Sequence, residues 1–267
     1  MRILLILLFF FSYASYSQSV KKFNKKGNKK SKKTDYKGAI VDYTKAIELD
    51  PNDAVSYKNR GFSKYNLEDH EGAVADLNKA IELDSTNANT YNNRGFSKYR
   101  LDDYEGAIVD YNKAIELDPE YAFPYNNRGV LKIDLKNYSG AIADLNKAIK
   151  INSNNANTYY NRGFSKYHLE DYDGAITDLN KVIEINPEFP SAYSNRGFSK
   201  YHLEDYEGAI VDYNKAIELD PNDADAYNNR GISKENLGDL NGACADWKRA
   251  DSMGNRIAQN NIRDFCN

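Results

Sequence analysis

The chain has 267 residues, of which 41% are hydrophobic and 28% charged, and its formal net charge at pH 7 is −3. With six prolines and 16 glycines it has too little of either residue for a disordered or a fibrous chain. This balance is that of a soluble globular protein, and the length allows a core that needs no disulfide staples.

An apolar leader opens the chain. Arg2 precedes an uncharged run over residues 3–11, and small or polar residues follow up to residue 19. This order is typical of a secretory signal peptide at 1–19, with cleavage expected near Ser17 or Gln18. A transmembrane anchor is the competing interpretation, but the apolar run is about half of the roughly 20 residues that a bilayer requires. We therefore expect an exported protein, periplasmic or secreted, with no transmembrane span after cleavage.

A lysine-rich arm follows the leader. It contains no acidic residue, whereas all 39 acidic residues of the chain lie after it. Its lysines are Lys21, Lys22, Lys25, Lys26, Lys29, Lys30, Lys32 and Lys33. Such an arm can contact an anionic surface, for example lipid headgroups, acidic polysaccharide or nucleic acid. The alternative, which we favour, is that the arm forms the first helix of a divergent opening repeat, or frays, and that its lysines keep an exposed end soluble.

The rest of the chain repeats itself. The tripeptide Asn-Arg-Gly recurs with a period of about 34 residues, and its glycines are Gly61, Gly95, Gly129, Gly163, Gly197 and Gly231. We expect repeats at 54–87, 88–121, 122–155, 156–189, 190–223 and 224–257, preceded by a divergent copy at 20–53 that includes the lysine-rich arm. Each repeat has two apolar patterns with helical spacing and is therefore predicted to form two helices.

Fixed columns of the repeat suggest structural roles. A short polar residue precedes each second helix and can accept from its free N–H groups; these residues are Asp69, Asp103, Asn137, Asp171, Asp205 and Asp239. Glycines recur in the columns of Gly61 and Gly72, and we attribute both to close approach of neighbouring helices. The aspartates of the Asp76 column recur in step with the arginines of the tripeptide. We interpret these residues as an Arg–Asp ladder between repeats.

This pattern resembles the tetratricopeptide repeat, a helix-turn-helix unit with an aromatic residue, Gly, Ala, an aromatic residue and Pro at set spacings. The resemblance covers residues 20–257. It departs from the family at Tyr57, where Trp is frequent, and at Arg60, where Leu is frequent. It implies an all-α fold, a right-handed α-solenoid superhelix of about seven 34-residue repeats whose first helices line a concave groove.

The C-terminal segment is the last predicted element. Residues 258–267 include Ile262 and Phe265, and we expect a helix that caps the final repeat, because a solenoid end needs such a cover. Export would allow a disulfide between Cys244 and Cys266. The alternative is that Cys244 is a small buried core residue, and both interpretations are open.

The candidate functional residues form no catalytic constellation, so we expect no enzyme, no cofactor and no metal site. His168 and His202 occupy one column in adjacent repeats, but a metal would need further ligands, and we interpret them as solvated groove residues.

The predicted partner-binding residues are Phe62, Phe96, Phe164 and Phe198, then Tyr65, Tyr99, Tyr167 and Tyr201 on the following turn, with Asn92 and Asn126 beside them. Aromatic rings supply buried area and asparagines can pair with a peptide backbone. The tyrosines have an alternative role in packing against the next repeat.

The leading hypothesis is therefore a scaffold that binds a protein or peptide partner in the groove, and we expect no nucleic-acid partner. The alternative is an envelope-structural or carbohydrate-associated module that the lysine-rich arm attaches to an anionic surface. A repeat domain serving an enzyme is the third. One subfamily of this repeat binds a C-terminal carboxylate of its partner through a clamp of polar side chains. This sequence does not have that clamp, because Phe62 and its equivalents stand where Asn would be needed.

Overall fold

The computed structural model describes residues 18–266, and within this range the regular secondary structure is helical throughout. Helix α1 covers residues 18–31. It is followed by α2 (Tyr36–Leu49), α3 (Ala54–Tyr65), α4 (His70–Leu83), α5 (Ala88–Tyr99), α6 (Tyr104–Leu117), α7 (Ala122–Asp134), α8 (Tyr138–Ile151), α9 (Ala156–Tyr167), α10 (Tyr172–Ile185), α11 (Pro190–His202), α12 (Tyr206–Leu219), α13 (Ala224–Asn236), α14 (Leu240–Ser252) and α15 (Arg256–Phe265). The predicted all-α fold of tandem helix-turn-helix repeats is confirmed.

The chain divides into two compact units, Met1–Arg128 and Gly129–Asn267. In the first unit α2 packs on α3, α3 on α4, α4 on α5 and α5 on α6. In the second unit the helices from α8 to α15 each pack on the next in the same way. In each repeat the second helix buries one large side chain, and these side chains are Tyr43, Leu77 and Tyr111 in the first unit and Leu145, Leu179, Tyr213 and Trp247 in the second.

The predicted signal peptide lies, as far as residue 17, outside the described residues. Residues 18 and 19 belong to α1. Among the described helices, none has both the length and the apolar character needed to cross a membrane.

Most of the lysine-rich arm is part of the fold, because its residues 21–31 lie in α1 and only Lys32 and Lys33 follow that helix. Val20 is buried, and Lys30 Nζ lies 2.7 Å from the carboxylate of Asp42 on α2. Asn24 Nδ2 donates to Asp53 at 2.7 Å, which ties α1 to the start of the next repeat. Most of the arm is therefore helical and is tied to the helices that follow it.

A tight turn joins the two helices of each repeat. One residue of each turn has a positive φ, in the left-handed region. In the last repeat this residue is Gly238, with φ 82°. In the other six repeats it has a side chain, and these residues are Thr34, Glu68, Asp102, Lys136, Glu170 and Glu204. The helix N-cap follows at once. In the repeat of α10, Asp171 accepts from the Gly174 backbone N–H at 3.0 Å, which satisfies one of the free N–H groups at the helix start. The N-caps predicted for the second helices are confirmed.

The two glycine columns have different causes, and one differs from the prediction. A Cβ at Gly61 would lie 2.9 Å from Leu77 and 3.2 Å from the Ala73 carbonyl oxygen on the paired helix, so this column permits the predicted close approach. A Cβ at Gly72 would instead lie 2.2 Å from Asp69 Oδ2. The second column is therefore required by the N-cap carboxylate of its own helix, and the prediction that helix–helix approach explains it is wrong.

The Arg–Asp ladder exists, but its pairs lie within repeats. Arg162 Nε and Nη2 donate to the two carboxylate oxygens of Asp178 at 2.9 and 2.5 Å, and both residues belong to one repeat. The link to the preceding repeat comes from Arg162 Nη1, which donates to Asn146 at 2.7 Å. Lys166, which the sequence analysis did not include, approaches the same carboxylate to 2.9 Å. The prediction that the Arg–Asp pairs bridge repeats is corrected accordingly.

The C-terminal helix α15 covers the last repeat. Ala258 is fully buried with Trp247, and Ile262 packs against the same cluster. Cys244 and Cys266 form a disulfide with Cα atoms 5.7 Å apart, which joins α14 to α15. The structure therefore contains the disulfide, and Cys244 is not a free core cysteine.

Candidate binding surface

The predicted phenylalanines lie on first helices: Phe62 on α3 and Phe96 on α5 in the first unit, Phe164 on α9 and Phe198 on α11 in the second. The glycine before each ring faces the paired second helix. The next side chain is rotated by about 100° around an α-helix and so points away from that interface. Phe62 is exposed and the other three are half-buried.

In the first unit, rings of successive repeats touch. The Tyr65 ring centroid lies 4.8 Å from that of Phe96 in the next repeat, and Phe96 stacks parallel to Tyr99 at 6.3 Å. Burial raises the pKa of Tyr65, and the charge of Arg100 opposes this shift. Tyr65 thus packs against the next repeat, as the alternative interpretation held, and part of its surface stays accessible.

The second unit repeats this arrangement. Tyr167 lies 5.2 Å from Phe198 of the next repeat, and Tyr201 lies 5.5 Å from Tyr206, measured between ring centroids. Burial raises the pKa of Tyr167. We call the surface formed by Phe164, Tyr167, Phe198 and Tyr201 the aromatic face of the second unit.

The two histidines belong to this face. His168 stacks on Tyr138 at 4.5 Å and His202 on Tyr172 at 4.8 Å, both nearly parallel. Both histidines are exposed, and partial burial lowers the pKa of His168. They are stacked ring partners as well as the solvated residues that the sequence suggested. The tyrosines beneath them were missed, although the recurrence of Tyr104, Tyr138, Tyr172 and Tyr206 at the period of the repeat was a visible signal.

The asparagines beside the rings hold repeats together. Asn127 Nδ2 donates to Asn92 Oδ1 at 3.0 Å, and Asn195 Nδ2 donates to the Tyr160 hydroxyl at 3.0 Å. Asn92 is 6% exposed, whereas Asn126 is half-buried. Because Asn92 has little accessible surface and its side-chain oxygen is engaged, we leave it out of the surface proposed below.

A cavity of about 860 Å³ in the second unit brings several predicted residues together. Its apolar wall is formed by Tyr160, Phe164, Tyr167 and Phe198. Its polar wall contains side chains from α11 and α13 and from the loop between α12 and α13. Tyr201 is not among the lining residues. The size fits a few side chains of a peptide, and a wall of rings offers buried area with amides and carboxylates to orient what binds.

Among residues 18–266, no group of three or more His, Cys, Asp and Glu side chains is placed to hold a metal ion. Tyr160, whose pKa is raised by burial, has its hydroxyl engaged by the amide of Asn195. The arrangement is suited to recognition by shape, ring contact and hydrogen bonding.

Three family models match this chain, and all three describe the tetratricopeptide repeat. A family model described as TPR repeat matches residues 63–102, 131–169, 165–203 and 199–238, which together make up more than half of the chain. Two models described as tetratricopeptide repeat match residues 88–121 and 23–53. No match is found among the curated proteins.

Solved structures with similar folds include proteins described as tetratricopeptide-repeat proteins. A tetratricopeptide repeat protein from Parabacteroides merdae is 23% identical with a TM-score of 0.64, over 94% of this chain and 100% of that chain. Pseudomonas aeruginosa PilF is 20% identical with a TM-score of 0.70, over 78% and 94%. YrrB, described as a TPR protein with an unusual peptide-binding site, is 27% identical with a TM-score of 0.59, over 69% and 95%.

Proposed function

Because this chain belongs to the tetratricopeptide-repeat family, whose members serve as protein-interaction scaffolds, we propose that it binds an extended segment of a partner protein on its first helices. The main site lies in the second unit, at the cavity that Phe164, Tyr167 and Phe198 of the aromatic face line. The rings of Phe62, Tyr65, Phe96 and Tyr99 form a second, separate contact surface within the first unit. The proposal narrows the general scaffold role to a peptide-binding site with named residues.

The observation that carries the proposal is the cavity wall. Phe164 and Phe198 occupy the same column of successive repeats, and both line one cavity together with Tyr167, which contacts Phe198. Rings on rigid helices lose little conformational freedom when a ligand covers them, which favours their use at binding sites. The similarity to YrrB, which is described as having a peptide-binding site, supports the same choice.

Two further proposals follow from the family and the termini of the chain. We propose that the protein has no catalytic activity of its own, because the family acts through binding and the buried aspartates are held by Arg and Lys. We also propose export to the periplasm or the outside of the cell. This rests on the signal-peptide pattern at 1–19 and on the disulfide between Cys244 and Cys266, since disulfides persist in oxidising compartments.

Selection of peptides from a random display library tests the binding proposal. Peptides selected on the purified protein are labelled and measured by fluorescence anisotropy on the parent and on the double variant F164A/F198A. We expect the variant to bind more weakly by about 2 kcal/mol or more, which is about thirtyfold in Kd, because ring truncation at a contact centre has this cost.

The control is F123A, which truncates an exposed phenylalanine outside the cavity lining and should bind like the parent. Circular dichroism must show equal helix content in all three proteins. If no peptide is selected, or if F164A/F198A binds as tightly as F123A, the proposed site is wrong.

A further inference from the structure

Three aspartates line the cavity of the second unit together with its rings. Asp220, Asp223 and Asp225 line it, and its lining contains no Lys or Arg. All three lie in or next to the loop that connects α12 to α13. The side chains are exposed or half-buried, so their carboxylates are accessible to a ligand in the cavity.

These carboxylates receive hydrogen bonds from neutral donors. Asp220 accepts from the Asn222 backbone N–H at 3.0 Å. Asp223 accepts from the Ala226 backbone N–H at 2.9 Å and from Ser194 Oγ at 3.0 Å. Asp225 accepts from Asn255 Nδ2 at 2.8 Å.

No ion pair forms at any of these three aspartates within the described part of the chain. The buried aspartates of the same unit differ, since Asp212 is contacted by Arg196 at 2.5 Å and by Lys200 at 2.8 Å. The cavity therefore holds three negative charges that the protein does not neutralise. Charges that lie at a partly enclosed site attract a complementary ligand more strongly than isolated surface charges do.

The repeat architecture does not require this acidic group. The equivalent positions one repeat earlier are Asn186, Phe189 and Ser191, and two repeats earlier they are Asn152, Asn155 and Asn157. At the N-cap position, Asn155 makes the same type of bond to Thr158 N–H, at 3.3 Å, that Asp223 makes to Ala226. Asp220 recurs as Asp50, Asp84 and Asp118, and Asp223 recurs as Asp53, but all three positions are acidic together only in this repeat. Neutral residues serve the fold at the equivalent positions of the two preceding repeats.

The rings that line the cavity suit the same kind of ligand as the aspartates. The faces of Tyr160, Phe164, Tyr167 and Phe198 can cover aliphatic stems and can also attract a cation through their ring quadrupoles. Carboxylates and rings that line the same cavity match an Arg or Lys side chain, with its apolar stem and charged head, next to an apolar neighbour. Guanidinium groups gain further from bidentate bonds to carboxylates.

Building on the proposed function, we propose that this cavity selects a basic segment of the partner protein, an extended peptide in which Arg or Lys stands next to apolar or aromatic residues. The aspartates bind the cationic heads and the rings bind the stems and the apolar neighbours. An acidic or neutral segment would leave the three carboxylates uncompensated.

The composition of the selected display peptides gives the first test. We expect peptides that bind the parent to be enriched in Arg and Lys and depleted in Asp and Glu relative to the unselected library. Selection on D220N/D223N/D225N should lose this enrichment. Asparagine is present at equivalent positions in other repeats, so the variant should fold, and its helix content is checked by circular dichroism.

Affinity gives the second test. A labelled basic peptide selected on the parent should bind D220N/D223N/D225N about tenfold or more weakly at physiological salt, since several close charge pairs are lost. The charge-matched control is E82Q/E116Q/E218Q, which removes three exposed carboxylates outside the cavity lining. This control should stay within about twofold of the parent, because separated surface charges are screened.

The outcomes separate this inference from the proposed function. Selected peptides that are neutral or acidic and depend on Phe164 and Phe198 would overturn the basic-segment inference and leave the peptide site intact. Equal weakening in both triple variants would also overturn it, because overall charge would then explain the effect. Failure to select any peptide would refute the proposed function itself.

Discussion

Single residues in this protein are fixed by local hydrogen bonds that recur in every repeat. At the start of α10, the Asp171 carboxylate occupies the space next to Gly174 and accepts from its N–H. A Cβ at Gly174 would lie 2.1 Å from Asp171 Oδ2. The glycine is thus retained because of the N-cap and not because of any neighbouring helix.

We predict that G174A is about 1 kcal/mol less favourable in the parent than in the D171A background, because only in the parent does the new methyl group displace the Asp171 carboxylate and remove an N-cap. In the D171A background the same substitution should stabilise by up to about 1 kcal/mol, since Ala is a better helix former than Gly. Urea denaturation of the four proteins of this double-mutant cycle measures both effects. A destabilising effect of G174A that is equal in both backgrounds would contradict the N-cap explanation.

Sequence reasoning at this scale identified which residues recur together but not always which ones touch. The prediction that the arginine column pairs with the aspartate column was correct. In a strict repeat, however, the spacing of Arg162 fits an aspartate of its own repeat as well as one of the adjacent repeat. The structure selects the partner in the same repeat and adds Lys166. Gly72 was misassigned for a similar reason, since its local role depends on where the side chain of Asp69 points.

Among the elements, the terminal helices differ most from the others. α1 combines a lysine-rich exposed side with the buried Val20 and the ion pair between Lys30 and Asp42. α15 is short, and its packing on α14 depends on Ala258, Ile262 and the disulfide. Periodicity predicted both helices only weakly, because their sequences diverge from the columns of the other repeats.

Reduction of the disulfide tests the role of α15. The only tryptophan, Trp247, is 1% exposed and its ring lies 5.7 Å from that of Phe265 on α15. Without the bridge between Cys244 and Cys266, we predict that the short helix α15 detaches, because closing a loop of this size contributes about 3 kcal/mol. The emission of Trp247 should then shift to longer wavelength.

The control for this prediction is C244S/C266S, which should show the shifted spectrum with and without reductant. Thiol titration must confirm that the parent has been reduced. An unchanged emission spectrum after complete reduction would show that packing alone holds α15.

For the whole molecule, two surfaces that could contact other molecules carry charges of opposite sign. The lysine-rich α1 would attract an anionic surface, whereas the cavity with Asp220, Asp223 and Asp225 would attract a basic segment. Added salt weakens both interactions, so salt dependence alone does not distinguish the two sites. Probes of opposite charge do, because each site favours a different one.

The sequence was sufficient for the fold and for part of the site. Repeats with a fixed period constrain helices, caps and core columns many times over, and therefore the all-α architecture and the column of Phe164 and Phe198 could be predicted. The cavity could not, because it combines side chains from α9, α11, α13 and a loop whose distances depend on how successive helices pack. Asp223 lies in a variable column, so recurrence gave no signal for it.

The most direct test of the account is hydrogen–deuterium exchange of the full protein with and without a selected peptide at saturating concentration. The account predicts that bound peptide slows exchange in α9, α11 and the loop between α12 and α13, and leaves exchange in the second helices α10 and α12 nearly unchanged. Protection confined to α1 or to the second helices would contradict the claim that the cavity of the second unit is the binding site.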